Sequence, residues 1–163
     1  MSGFDDLLAA NAEFSAGFCS SDLTGVARAG VAVLLCMDSR IEPLRMLGLD
    51  IGDAKILRTP GGHLNESSLA GCRLAVQLLG CDRIMVVQHT KCAMASGDDA
   101  DLIRRIKEST GADASGIFFG ADPDQETHLR RDVATLRQDH LTMAATIGGF
   151  IYDVDSGRLR QIC

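Results

Sequence analysis

Four stretches of the chain carry the apolar, β-branched character of buried strands: VAVLLC at 31–36, AKILR at 54–58, RIMVV at 83–87 and TIGGFIYDV at 146–154. Asp-Ser-Gly at 155–157 then turns the last of them into RLRQI, 158–162, so the chain closes on a hairpin. Between the strands the period changes to that of a helix. Residues 3–16 place Phe4, Leu7, Leu8 and Phe14 on or near one face, and EPLRMLG at 42–48 has Pro43 in its first turn and Gly48 at its end. A longer helix begins at Asn65, a good N-cap, and runs to Gly80 with Leu69, Cys72, Val76 and Leu79 at helical spacing. Residues 98–109 and 123–138 are amphipathic, the second opening on DPDQE. Strands alternating with helices predict an α/β fold: a mainly parallel four-stranded sheet with helices on both faces, an antiparallel edge strand at the C-terminus and an N-terminal helical arm. With no internal repeat, residues 1–163 read as a single domain in which 1–25 form the arm. In such sheets ligands bind at the carboxyl ends of the strands.

Composition narrows the function classes. The net charge is −6, there is no basic cluster, and no apolar run approaches the roughly 18 residues of a membrane span. Nucleic acid and membrane are therefore disfavoured as partners. MSGFDDLLAANAEF lacks the basic start and apolar centre of a signal peptide, so a cytoplasmic location is expected. Six cysteines, at 19, 36, 72, 81, 92 and 163, then point to metal binding or simple burial rather than to disulfides.

The reactive residues gather at strand ends. Cys36 ends the first strand, His89 follows the third, and Cys92 comes three residues later. If those strands are neighbours, two thiolates and an imidazole meet at one sheet edge, a good zinc set that leaves a fourth position open, as catalytic sites do. A cysteine ending a buried strand is otherwise a small core residue, and a His-x-x-Cys pair alone is a weak motif. Asp38 and Arg40, in CMDSR at 36–40, lie at the same edge, close enough in sequence to pair. Such a pair is either a solvated ion pair of little worth or a carboxylate held beside the metal. RTPGG at 58–62 ends the second strand, and its paired glycines permit positive φ and close backbone approach; a plain loop explains it as well.

Cys-x-Asp-Ser-Arg after the first strand, a Gly-Gly loop, and His-x-x-Cys about fifty residues on together resemble the β-class carbonic anhydrases, and NAEFSAGF, RMLGLDIGDAKILR and GFIYDVDSGRL look like their compact prokaryotic members. The resemblance implies one Zn²⁺ per chain held by Cys36, His89 and Cys92. It implies reversible hydration of carbon dioxide to bicarbonate and a proton, with zinc-bound hydroxide as nucleophile oriented by Asp38 and Arg40. It also implies a homodimer or a dimer of dimers, with the N-terminal helix lying on the partner. Thr59, Gly61 and Gly62 are the expected substrate-pocket residues. In some members the aspartate leaves its arginine for the fourth zinc position, an inactive form; the sequence does not decide between the two for Asp38. His63, by its place after the Gly-Gly loop, is the candidate proton shuttle, while His128 and His140 read as solvated.

Three departures bear on substrate. Thr59-Pro60 stands where the family usually has Asn-Ala, and Pro60 removes a backbone N–H. Ala93 replaces a usual glycine, which demands a backbone without positive φ, and Lys91 adds a positive charge that would favour a nearby anion. Two other readings stay open on the same fold: a carbonyl sulfide or carbon disulfide hydrolase, and a zinc-binding homologue without turnover. Cys72 reads as packed, Cys19 and Cys81 as lying near loops, and Cys163 as a mobile thiol.

Overall fold

The computed structural model describes residues 3–163; Met1 and Ser2 of the expected arm lie outside them. Its centre is one five-stranded sheet in the order β2-β1-β3-β4-β5. β1 (Val31–Cys36), β2 (Ala54–Thr59), β3 (Arg83–His89) and β4 (Thr146–Tyr152) run parallel, and β5 (Leu159–Gln161) pairs antiparallel with β4. The two strands that carry the candidate ligands are neighbours. Leu35 sits opposite Val87, and on the other side Cys36 sits opposite Thr59.

β1 is buried at all six positions, as a central parallel strand must be. Successive side chains alternate between two cores. Ala32 and Leu34, with Ile84 and Val86, face α3 (Glu66–Leu78) and α5 (Gln125–Gln138) through Cys72, Ala75, Leu129, Val133 and Leu136. Val31, Val33, Leu35 and Val87 face the other way, against Ile41, Met94, Met46 of α2 (Pro43–Met46) and Leu102 of α4 (Asp99–Thr110). Helices thus cover both faces. Asn65 caps α3 as the sequence predicts: its Oδ1 accepts from Ser68 N at 2.9 Å while Ser68 Oγ accepts from Asn65 N at 2.8 Å. α1 (Asp5–Ala16) buries none of its residues, and Phe4, Leu7, Leu8 and Phe14 are all more than half exposed. No helix among the described residues is long and apolar enough to cross a membrane.

Several expectations change. β3 continues through His89, because its ladder with β4 extends to the pair His89–Tyr152. His128 is buried rather than solvated: it shares the inner face of α5 with Leu129, Asp132, Val133 and Leu136, whereas His140 is exposed. Cys163 is not a mobile thiol; its carbonyl accepts from Gly149 N at 2.9 Å and its side chain packs against the α3–α5 core. Cys72 is fully buried as expected, and Cys81, though between elements, is buried too.

Candidate active site

At the carboxyl end of the sheet, β1 delivers Cys36, the last residue of β3 delivers His89, and the turn after it delivers Cys92. One ligand atom from each lies within 4.8 Å of the others, and all three residues are buried. The two sulfurs are 4.0 Å apart. Two thiolates on one tetrahedral zinc stand about 3.8 Å apart, from Zn–S bonds of ~2.3 Å. His89 supplies the more telling observation. Its Nδ1 lies 2.9 Å from the Thr90 carbonyl, which assigns the proton to Nδ1, and its Nε2 is buried with no hydrogen-bond partner among the described residues. A buried nitrogen lone pair aimed at two cysteine sulfurs is costly unless a cation meets it. The residues therefore fit a zinc-type ion by donor set, spacing and tautomer.

The charges agree. A hydrogen bond from Cys92 pulls the Cys36 thiol down, against the opposing effect of burial and with help from His89. Cys92 is pushed up by the same hydrogen bond and by burial. Burial acts to lower His89, but the neighbouring Cys36 sulfur raises it overall. The cluster already stabilises negative charge on sulfur.

Asp38 lies on Arg40. Arg40 Nε donates to Asp38 Oδ1 at 2.9 Å and Nη2 to Oδ2 at 2.7 Å, a two-pronged pair, and Arg40 N also donates to Oδ1 at 2.9 Å. The Arg40 hydrogen bonds hold the Asp38 carboxyl far below the usual carboxylate range. Oδ2 is 3.8 Å from His89 Nε2, so the ionised carboxylate borders the candidate metal position while engaged with arginine. Arg40 Nη2 further donates to the Lys91 carbonyl at 3.2 Å. Lys91 is the one described non-glycine residue with positive φ, +55°, in the turn between His89 and Cys92. Its charge does not face the site: Nζ is 2.6 Å from an Asp155 oxygen in an exposed pair. Lys91 therefore does not offer the free cation its sequence position suggests. Ala93 avoids positive φ, as expected.

The Gly-Gly loop is a tight 3-10 turn over Pro60–Gly62 with φ of +70° and +72° at its two glycines. A Cβ on Gly62 would sit 2.6 Å from the Val87 carbonyl and 3.0 Å from Cys36 N, so the loop lies directly on the strand ends. Thr59 Oγ1 donates to the His63 carbonyl at 2.8 Å and closes the turn. His63 is a poor proton shuttle. It is buried, stacks on His128 with ring centres 3.8 Å apart, and is pushed down to about 4 by burial and then by His128. A carrier working near neutral pH needs a pKa near 7.

Two residues without an assigned role in the sequence also build the site. Gln125 Nε2, from the start of α5, donates to the His89 carbonyl at 3.0 Å, and Arg58 braces the CMDSR turn from β2. A polar residue at the N-terminus of a helix gives no sequence sign of such a reach. Arg58 had one, its place at a strand end just before the loop.

A family model described as carbonic anhydrase matches residues 31–111. A solved carbonic anhydrase from Streptococcus mutans superposes with a TM-score of 0.89 at 34% identity, over 100% of this chain and 99% of that one. The chain belongs to the β-carbonic anhydrase family. Beta-carbonic anhydrase 1 of Mycobacterium tuberculosis (strain ATCC 25618 / H37Rv) is 28% identical over 159 residues, 97% of this family member and 96% of its relative. A carbon disulfide hydrolase of Acidianus sp. (strain A1-3) is 37% identical over 154 residues, 79% of this family member and 75% of the other protein. This chain is thus an enzyme of carbonic anhydrase type, with relatives of two activities.

Proposed function

We propose that the protein is a zinc-dependent carbonic anhydrase that interconverts carbon dioxide and bicarbonate. The observation that carries this is the unpartnered Nε2 of His89, facing Cys36 and Cys92 beside a carboxylate that Arg40 keeps ionised. Cys36, His89 and Cys92 would hold the ion. Zinc supplies Lewis acidity, which brings the pKa of water from ~15.7 to about 7 and so makes hydroxide available near neutral pH. Asp38 Oδ2, the oxygen nearer His89, would accept a hydrogen bond from the attacking hydroxide and so orient it toward the carbon of CO₂. Arg40 fixes that carboxylate and prevents it from taking a proton. Pro60, Gly61 and Gly62, with Thr59 behind them, offer a small wall poor in donors, suited to an apolar substrate. Cys36 and Cys92 must stay reduced to bind metal, which suits a cytoplasmic setting. The bare apolar side of α1 supports a homodimer in which 1–25 lie on the partner, with a dimer of dimers as the larger assembly.

A second reading keeps the site and changes the substrate to carbon disulfide or carbonyl sulfide. The carbon disulfide hydrolase at 37% identity and the Thr59-Pro60 departure favour it. Rates on CO₂, carbonyl sulfide and carbon disulfide, measured on one zinc-loaded preparation, separate the two. Fast CO₂ hydration with slow turnover of both sulfur compounds is expected; the reverse order assigns the second reading.

A further inference from the structure

The Arg58 guanidinium, at the carboxyl end of β2, spends its hydrogen bonds on one turn. Nε donates to the Cys36 carbonyl at 3.1 Å, and Nη2 donates to those of Asp38 at 2.9 Å and Ile41 at 2.8 Å. None of these partners is a carboxylate. The turn from Cys36 to Ile41 has few other main-chain ties: Met37 N donates to Thr59 O at 3.1 Å and Ile41 N to Asp38 O at 3.2 Å. Three carbonyls converging on one planar, permanently charged fork is a task for arginine; the compact ammonium of lysine cannot span them. These carbonyls bracket Asp38 and Arg40 in sequence, so the atoms Arg58 holds fix the backbone from which both partners of the pair project.

We propose that Arg58 is the positioning residue of the Asp38–Arg40 pair. It holds the turn in the shape that keeps Asp38 two-pronged on Arg40 and prevents the carboxylate from swinging toward His89 Nε2, only 3.8 Å from Oδ2. The consequence for rate rests on the function proposed above; the positioning itself does not. Arg58 meets Cys36 only at its main-chain carbonyl, and it acts through the turn that carries Asp38 and Arg40.

The test follows the exchange of the Arg40 Nε–H proton by ¹⁵N NMR in zinc-loaded wild type, Arg58→Gln and Arg58→Lys. That proton is held by Asp38 Oδ1 and reports the pair directly. Losing even one charge-assisted hydrogen bond shifts such an equilibrium by roughly tenfold. Arg58→Gln should therefore exchange this proton about tenfold faster or more, with Arg58→Lys in between, while zinc per chain is unchanged. In the same proteins kcat should fall with KM nearly constant. Unchanged Arg40 exchange in Arg58→Gln overturns the proposal, including when the melting temperature drops, since that outcome marks a merely structural brace. If Arg58→Gln does not fold, Arg58→Lys decides by the same criterion. Faster exchange in a protein whose wild type lacks CO₂ hydration leaves the positioning role standing and refutes only the proposed reaction.

Discussion

Replacing Gly62 by alanine asks how tightly the Gly-Gly loop is built onto the strands that carry the site. Gly62 has φ of +72°, a left-handed conformation that costs a residue with a Cβ about 1–2 kcal/mol. The added carbon would also stand 2.6 Å from the Val87 carbonyl oxygen, 3.0 Å from Cys36 N and 3.2 Å from the Leu35 carbonyl carbon. All three are main-chain atoms of the central strands β1 and β3, so none can rotate aside as a side chain would. Overpacking of this kind costs about 1–3 kcal/mol. The sum is about 2–5 kcal/mol, which in a protein of this size lowers the melting temperature by roughly 4–20 °C. Gly48→Ala is the control: it has φ of +67° but nothing within 4 Å of the new Cβ, so it should lose only the backbone cost, about 1–2 kcal/mol. Calorimetry of metal-free wild type and both variants reads the difference. A Gly62→Ala protein that melts no lower than Gly48→Ala would refute the close approach of the loop to Cys36 and Val87.

Two further outcomes are expected. Cys92→Ser replaces a proposed thiolate ligand by a poor one and should lower zinc retained after dialysis against a chelator by tenfold or more, with the fold kept by circular dichroism; unchanged metal content removes Cys92 from the ligand set. His63, faced by His128, Asp122, Asp132 and Arg131, is pushed down to about 4 by burial and the neighbouring imidazole, while an unfolded histidine titrates near 6.5. Below pH ~6.5 the unfolded chain binds a proton at His63 that the folded chain does not, so the stability this residue contributes is complete above ~6.5 and falls as pH drops toward 4, by about 3 kcal/mol. Urea melts at pH 7 and pH 4.5 should show a smaller acid loss for His63→Phe, which keeps a ring on His128; equal losses would show that His63 does not resist protonation.

The strands were legible because their apolar, β-branched runs sit in a sheet covered on both faces, where nearly every position must be apolar. β1 begins and ends where the run does. The apolar run predicts a β3 two residues too short, because Gln88 and His89 are polar, yet the ladder with β4 carries both into the buried interior. The same bias hid His128: its spacing with Leu129, Asp132, Val133 and Leu136 marks a helix face, but a polar residue is not counted as facing inward until partners are found for it, here Asp122 at 3.1 Å and Asp132 at 3.5 Å. The convergence of Cys36, His89 and Cys92 followed from strand ends alone once β1 and β3 were neighbours. That Asp155 takes the charge of Lys91 depends on a pairing between distant segments that spacing along the chain does not encode.

The central claim is that a metal at Cys36, His89 and Cys92, with Asp38 beside it, hydrates carbon dioxide. The direct measurement is stopped-flow CO₂ hydration by wild type and Asp38→Asn, each carrying one zinc per chain. Rapid hydration by wild type and a loss of about 10²-fold or more in Asp38→Asn at equal zinc content is the predicted result. Wild type without hydration at full zinc content, or an Asp38→Asn variant as fast as wild type, would contradict the account.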